Sequence, residues 1–171
     1  MIKKFNEFIN EERQSFEYKL KTILNMVVEF ISIDDTEKKK RYLEAKNISQ
    51  VITIESDLHN VSKAIESMLS SEMDISDVIN VKGFDFEKPE LYKILKDHNG
   101  KILVFDGSMF SKEHMAELMM AANKHFGIGQ IKDENGNLSD FTGIILFISS
   151  PRYIDQIFSE PLKKLCTRIK Q

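Results

Sequence analysis

One segment of the chain, 51–68, has the residue types of a strand, a polar turn and a helix in succession. Its apolar run 51–54 predicts a buried strand, and apolar residues at helical spacing from Val61 onward predict a helix. Such turns bind phosphate when glycines expose backbone N–H groups and a lysine neutralises the phosphate oxygens. This turn contains neither glycine nor lysine. The segment therefore has the layout of a phosphate-binding loop without its chemistry.

A second set of chemically capable side chains follows the apolar run 102–105. Asp106, Ser108 and Glu113 would place three oxygen ligands at one strand end, a donor set that Mg²⁺ accepts. A metal-dependent hydrolase that uses Asp106 is therefore one function the sequence allows. No positively charged group is evident beside these residues to stabilise a leaving phosphate, which counts against this function.

The histidines and the single cysteine show no pattern of metal ligands. His59, His98, His114 and His125 have no ligand partners at short spacing, and a lone Cys166 excludes an internal disulfide. We therefore expect no metal site and no cofactor. The histidines are expected to be structural or exposed, and the cysteine to be packed rather than a nucleophile.

Composition excludes several classes of protein. With 171 residues, 42% of them apolar and 30% charged, the chain is long enough for a substantial core and is not disordered. The formal charge of -3 argues against direct nucleic-acid binding, which usually needs a clustered basic surface. The basic clusters 38–41 and 163–164 are expected to be solvated helix faces. No apolar run is long enough to cross a membrane, so we expect a soluble, intracellular protein.

Helical and strand periodicities alternate along most of the chain. Apolar residues at helical spacing predict an N-terminal helical segment, 1–47, ahead of an α/β core, 48–171. Unbroken apolar strands between helices are typical of a parallel sheet covered on both faces. The predicted fold class is therefore an α/β three-layer sandwich, with its functional crevice beyond the carboxyl ends of the strands. The predicted strands are 51–54, 77–81, 102–105, 144–148 and 167–170, with a hairpin turn at 135–136.

The methionine-rich helix predicted to start at Ser111 and to end near His125 allows two interpretations. Its apolar positions are expected to pack in the core. Methionine side chains are also adaptable enough to line a groove for a partner. The residues concerned are Met115, Leu118, Met119 and Ala122.

Two longer stretches resemble the ATPase core of the AAA+ family, in particular the short AAA+ proteins of large tailed phages. ELYKILKDHNGKILVFDGS, 90–108, is similar to the family's helix and Walker B strand, where apolar residues lead to an acidic pair. DFTGIILFISSPRYIDQIFSEPLKKLC, 140–166, is similar to its sensor strand and arginine-finger helix. The resemblance covers residues 48–170 with the motifs in the family's order, and it implies a P-loop NTPase-like sheet.

The family's phosphate loop falls on residues 55–62, where Ser62 alone matches the pattern. Together, Glu55 and Asp57 are expected to direct negative charge at the place a triphosphate would occupy. Backbone convergence on the phosphates is lost with the glycines, and charge neutralisation is lost with the lysine. The substituted positions are Glu55 and Asn60 for the two glycines and Val61 for the lysine.

The remaining motif positions also lack most of the residues that catalysis requires. Asp106 keeps the magnesium-binding aspartate of Walker B, but Gly107 replaces the acidic residue that polarises water. Ser149 and Ser150 stand where the sensor asparagine is usual, and Leu165 stands where the arginine finger should be. The family's helical lid is expected to be missing. Because phosphoryl transfer depends on positioned positive charge and metal, the resemblance implies an ATPase fold without catalysis.

The sequence thus predicts a pseudo-ATPase with no catalytic residues and no cofactor, acting as a protein-interaction module. An AAA+ core presents two faces to neighbouring subunits, and a copy without turnover can occupy such a face on a partner. The expected partner is a protein: an active AAA+ ATPase, a replication factor or a host factor. The alternative is an unrelated α/β domain whose similarity is accidental.

The opening residues, MIKKFNEFINEE, resemble the capsid-targeting leader of internal proteins from the same phages. The context Ile9 to Glu12 would make Glu12 the position after which a prohead protease cuts, leaving a packaged chain that starts at Arg13. The alternative is an amphipathic first helix that packs on the domain, and the apolar spacing favours it. Both interpretations suit a phage protein located in the host cytoplasm or packaged in the virion.

Overall fold

Helices and strands alternate along the chain in the structure, a computed structural model that describes residues 2–57, 60–81, 91–106 and 112–171. Side chains are described at these positions except at 2–14, 75, 112 and 113. In chain order the main elements are α1 Ile2–Ser32, α2 Thr36–Lys46, β1 Val51–Glu55, α3 Val61–Glu72, β2 Val78–Val81, α4 Leu91–Asp97, β3 Ile102–Asp106, α5 Lys112–Ala121, β4 Gly129–Lys132, β5 Leu138–Phe141, β6 Ile144–Ser149, α6 Pro151–Ile157, α7 Glu160–Leu165 and β7 Thr167–Lys170.

Five parallel strands form the central sheet, in the order β2-β3-β6-β1-β7. The chain crosses from β1 to β2 in one direction and returns through β3 and β6 to β7. Because crossovers between parallel strands are right-handed, the two directions of travel put their helices on opposite faces. The predicted α/β class with a parallel sheet covered on both faces is confirmed. The five predicted strands agree with the observed ones to within one residue at either end.

Each face of the sheet carries its own apolar core, because successive residues of a strand point to opposite faces. In β6, Ile145 and Phe147 enter the core under α4–α7, whereas Leu146 and Ile148 enter the core under α1–α3. The central strands are apolar at nearly every position because both of their faces are covered.

The N-terminal helices share a core with the sheet. One face of α1 is buried from Phe16 onward and packs with α2, α3 and the sheet. The helical segment predicted at 1–47 therefore forms one layer of the sandwich together with α3. The buried residues of α1 are Phe16, Leu20, Leu24, Val27 and Phe30.

Helix α2 buries a lysine that the sequence placed on a solvated face. Asp35 caps the first turn of α2, and Asn47, with φ 52°, ends the helix in the left-handed conformation. Lys39 is 5% exposed, and its ammonium donates to the carbonyl oxygens of Phe30 at 3.0 Å and Thr142 at 3.1 Å. The expectation of a wholly solvated basic cluster is therefore wrong at Lys39, because backbone carbonyls replace water around its charge.

The burial of Lys39 makes stability depend on pH in the alkaline range. Burial lowers the pKa of Lys39 from 10.5 to about 8, against an opposing effect of the Asp34 charge. Between these values the unfolded chain binds more protons than the folded one, so the contribution of Lys39 to stability rises with pH. The free energy of unfolding of the natural chain, measured in urea against Lys39→Met, is expected to gain up to about 1.4 kcal/mol per pH unit in this window.

The exposed neighbour Lys38 provides the control for this pH dependence. Lys38→Met is expected to keep the pH dependence of the natural chain, because its side chain lies in water. Parallel stability curves for the natural chain and Lys39→Met from pH 7.5 to 10 would show that folding does not lower the pKa of Lys39.

Helix α5 ends at Ala121, earlier than the predicted end near His125. Strand β4 passes so close that a Cβ on Gly129 would lie 1.9 Å from the carbonyl oxygen of Ala121. Beyond the helix, the His125 N–H donates to the side-chain oxygen of Asn123 at 2.9 Å, a local turn that competes with helix. The predicted helix start, Ser111, lies outside the described residues.

Strands β4 and β5 form the hairpin predicted around 135–136, and Gln50 attaches this hairpin to the main sheet. The Gln50 side chain is 2% exposed, and its N–H groups donate to the carbonyl oxygens of Phe141 at 2.6 Å and Gly143 at 3.0 Å. Its side-chain oxygen accepts from the Gly129 N–H at 2.6 Å. Gln50 thus satisfies buried backbone groups that a purely apolar side chain would leave without a partner.

Candidate functional site

The carboxyl ends of β1 and β6 lie where an open α/β sheet normally binds ligands. These strands are neighbours, and the helices that follow them cover opposite faces of the sheet. A crevice forms at such a switch point because the two connections diverge. Glu55 ends β1 opposite Ser149 of β6, and the Ser56 N–H donates to the Ser149 carbonyl oxygen at 3.0 Å. The predicted phosphate-loop and sensor positions are therefore adjacent.

Glu55 is fully buried and paired with an arginine of β7. Its side chain is 0% exposed, and that of Arg168 is 20% exposed. Arg168 donates from Nε to Glu55 Oε2 at 2.9 Å and from Nη2 to Oε1 at 2.5 Å, a bidentate arrangement. The Thr53 hydroxyl donates to the same carboxylate at 2.9 Å. The expectation that Glu55 directs negative charge at the place of a triphosphate is therefore corrected: Arg168 neutralises its charge within the sheet.

Two carboxylates share the Arg168 guanidinium. Its Nη2 also lies 3.2 Å from Asp155 Oδ1, while the Lys163 ammonium lies 3.5 Å from Asp155 and 3.1 Å from Glu160. The hydrogen bond with Glu55 raises the pKa of Arg168, and the hydrogen bond with Arg168 lowers the pKa of Asp155. Because its donors are directed at these carboxylates, Arg168 is not available to a bound phosphate.

The turn between β1 and α3 has larger side chains at positions where a phosphate loop has glycines with exposed backbone N–H groups. Val61 is 6% exposed and packs in the core, and Ser62 is 9% exposed. Asp57 and Asn60 are exposed, and residues 58–59 lie outside the described part of the chain. The position that the sequence resemblance assigns to a phosphate-loop lysine is thus occupied by a core side chain.

Polar groups beside this turn are hydrogen-bonded to the residue that follows β7. The Gln171 N–H donates to the carbonyl oxygen of Glu55 at 3.0 Å. The Ser56 hydroxyl donates to the side-chain oxygen of Gln171. The end of β1 is therefore tied to β7 through its backbone as well as through Arg168.

Asp106 ends β3 and faces the opposite side of the sheet from Glu55. By strand alternation it shares the face of Ile102 and Val104, which pack under α1–α3. Glu55 shares the face of Val51, which packs under α4–α7. The two carboxylates therefore do not form one site.

The proposed ligands of the hydrolase alternative are incompletely described. Asp106 is half-buried, whereas Gly107 and Ser108 and the side chain of Glu113 lie outside the described residues. Within the described ranges, His, Cys, Asp and Glu side chains form no group of three that could hold a metal ion. A hydrolase site at Asp106 stays a prediction.

The predicted sensor and finger positions lie at opposite ends of the parallel strands. The Ser150 hydroxyl accepts from the Tyr153 N–H at 3.2 Å and caps α6. Leu165 ends α7 immediately before the amino end of β7, whereas Glu55 pairs with the far end of that strand. The structure brings Glu55, Ser149 and Ser150 together and separates Leu165 from them.

Cys166 lies against the core after α7, as a packed cysteine would. Burial raises the pKa of its thiol to about 12. The thiolate, which is the nucleophilic form, is therefore scarce at neutral pH, and this argues against covalent catalysis by Cys166.

Glu12, the predicted leader cleavage position, lies within α1, whose backbone is helical over Ile2–Ser32. Proteolytic nicking concentrates in exposed, flexible segments, so a protease would need this part of α1 to unwind. Cleavage after Glu12 stays a prediction.

Arg168 is the residue of this site that sequence patterns miss. Its partner Glu55 lies 113 positions away, so no local spacing links them. The available signal is that Arg168 falls in a predicted strand and Glu55 directly follows one, and a charge that a sheet buries needs a partner.

The chemistry of these residues is the basis for assigning a function. No family model matches the sequence, and no curated protein matches it. Among the described residues, no helix is both long and apolar enough to cross a bilayer.

Proposed function

We propose that this protein is a non-catalytic interaction module whose fold is a degenerate AAA+ core of the P-loop NTPase type. The observation that carries this proposal is the buried Glu55–Arg168 pair at the end of β1. A working phosphate loop needs converging backbone N–H groups and an available cation at that position. Here a carboxylate stands at the first glycine position and holds the arginine itself.

The arrangement of the strands supports the assignment of the motif positions. The resemblance assigns the phosphate loop to the end of β1, the sensor to β6 and Walker B to β3. In the sheet, β6 lies between the other two. Neighbouring strands are about 4.8 Å apart, so the three carboxyl ends fall within about 10 Å, the span over which one triphosphate would be held.

Two described motif residues have structural roles that are unsuited to turnover. The Val61 side chain belongs to the core under α1–α3 and supplies no charge to a phosphate. The Ser150 hydroxyl caps α6. Phosphoryl transfer is almost entirely positioning and charge stabilisation, so these positions would contribute little to it.

The proposed role is to bind a protein partner without turning over nucleotide. An active AAA+ ATPase, a replication factor or a host protein would offer a matching face. We propose a phage origin and the host cytoplasm as the location, both on the sequence resemblance. A virion-packaged internal protein remains the alternative that the opening residues motivate.

Magnesium-ATP is expected to leave the stability of the protein unchanged. A ligand present at 100 times its Kd raises the free energy of unfolding by about 2.7 kcal/mol, which urea unfolding detects readily. We expect coincident unfolding curves with and without millimolar Mg-ATP, and no phosphate release above the buffer rate. The reason is that Arg168 is already neutralised and Val61 replaces the lysine.

Asp106→Ala separates the proposed function from its alternatives. In a non-catalytic module this variant behaves like the natural chain in both measurements. Magnesium-dependent ATP hydrolysis that Asp106→Ala abolishes would overturn the proposal. Heat of Mg²⁺ binding without nucleotide, lost in the same variant, would instead favour the metal-dependent hydrolase.

A further inference from the structure

A groove on the α4–α7 face of the protein has an apolar floor. It lies between α4, α5 and β4 and encloses about 710 Å³. This volume is within the range of pockets that bind ligands or anchoring side chains, roughly 300–1,000 Å³. We name it the α5 groove, and its floor is formed by Leu95, Ala116, Met119, Met120, Ile131 and Leu165.

Helix α5 presents two faces, whereas an ordinary surface helix has one apolar stripe. The first face packs in the core, as the sequence predicted. The second faces the α5 groove and repeats at i, i+3 and i+4, part of the spacing at which one helix packs on another. The core-facing residues of α5 include Met115, Leu118 and Ala121, and the groove-facing ones are Ala116, Met119 and Met120.

Among the described residues that line the α5 groove, acidic side chains outnumber basic ones. They are Glu117, Asp133 and Glu134, against one cation, Lys132. The Tyr92 hydroxyl donates to Glu134 Oε2 at 3.3 Å and so links the hairpin wall to α4. From the described side chains, a segment seated in the groove would therefore meet more negative than positive charge around an apolar floor.

We propose that the α5 groove binds an amphipathic helix of a partner protein that carries lysine or arginine beside its apolar face. This inference rests on the proposed function as an interaction module and names the class of segment bound. Apolar side chains of the helix would contact Met119, Met120 and Leu165, where flexible thioethers adapt to their shape. Its cations would face Asp133 and Glu134 at the hairpin, whereas an acidic helix would be repelled by them.

Two synthetic peptides test the proposal directly. Each is a labelled 14-residue helix with the same leucine positions, and the polar positions are all lysine in one and all glutamate in the other. Fluorescence anisotropy on the full chain is expected to give binding of the lysine peptide at least about tenfold tighter than that of the glutamate peptide. The preference is expected to shrink at high salt because rim charges are screened.

Matched variants assign the binding to the α5 groove. Met120→Lys is expected to weaken the lysine peptide about tenfold, because it puts a cation on the floor of the groove. Met68→Lys changes an equally half-buried methionine on α3, across the sheet, and is expected to leave binding unchanged. Glu134→Gln is expected to weaken binding a few-fold at low salt, while Glu44→Gln, which changes an equally exposed glutamate of α2, is not.

Several results would overturn this inference. Equal binding of the two peptides, no binding of either, or equal losses in Met120→Lys and Met68→Lys would each do so. Self-association of the chain that Met120→Lys abolishes would assign the groove to a second copy instead. ATP hydrolysis measured on the same samples distinguishes failure of the groove proposal from failure of the proposed function. Loss of peptide selectivity without ATP hydrolysis would contradict the groove proposal alone. ATP hydrolysis would contradict the proposed function, whatever the peptide binding.

Discussion

Replacing Arg168 with methionine is expected to lower the free energy of unfolding by about 3–5 kcal/mol, as is typical when one partner of a buried ion pair is removed. The variant leaves the Glu55 carboxylate, 0% exposed, without the two N–H groups that now bond it. Urea unfolding followed by circular dichroism measures the change, with the slope of the transition showing whether cooperativity is kept.

The neighbouring Lys170 provides a matched control for Arg168→Met. Lys170→Met removes a cation from the same strand, but its side chain is exposed, so a change within about 0.5 kcal/mol is expected. Adding Glu55→Gln to Arg168→Met removes the stranded charge and is expected to restore part of the stability. Equal losses in Arg168→Met and Lys170→Met would contradict a buried, structural ion pair.

Gly129→Ala is expected to destabilise the protein by about 3 kcal/mol or more, at the upper end of overpacking effects. Gly129 lies in β4 and its φ is not positive, so alanine suits its backbone. The cost is steric, because the new Cβ would lie 1.9 Å from the carbonyl oxygen of Ala121. Backbone atoms cannot rotate away as a side chain can, so β4 must separate from the end of α5. Thermal and urea unfolding both report the loss.

Gly136→Ala is the control that separates sterics from backbone conformation. Gly136 has φ 79°, but the nearest atom to its added Cβ is Lys132 Cε at 3.9 Å. The left-handed conformation costs a residue with a Cβ about 1–2 kcal/mol, and nothing more is expected at this turn. If Gly129→Ala cost no more than Gly136→Ala, the close approach of β4 to α5 would not exist in solution.

Arg168→Met and Gly129→Ala test two different tertiary contacts of the same fold. Arg168 joins β7 to β1 near the carboxyl ends of these strands. Gly129 joins the hairpin to α5 and shapes a wall of the α5 groove. The contact at Gly129 shapes the surface beside the α5 groove, whereas the pair at Arg168 stabilises the sheet. Arg168→Met is therefore expected to reduce peptide binding only to the extent that it unfolds the protein. Gly129→Ala is expected to weaken peptide binding even where the protein stays folded, because it changes the shape of the α5 groove.

The sequence by itself determined the class and order of the elements. Unbroken apolar runs such as 102–105 and 144–148 can only be buried on both faces, so they predicted a covered parallel sheet. Local signals also predicted the hairpin at 135–136. These features depend on residues close together in the chain, which is why periodicity and turn chemistry suffice to predict them.

Tertiary structure alone decided what the charged residues do. From the sequence, Glu55 was expected to direct negative charge at a bound phosphate, but it is paired with Arg168, which lies 113 positions away in the chain. Lys39 lies in a basic cluster that the sequence predicts to be exposed, but it is buried and donates to the carbonyl oxygens of Phe30 and Thr142. Whether a charge is solvated or paired depends on which distant segments surround it, and no local pattern carries that information. The α5 groove likewise exists because α4, α5 and β4 meet in space.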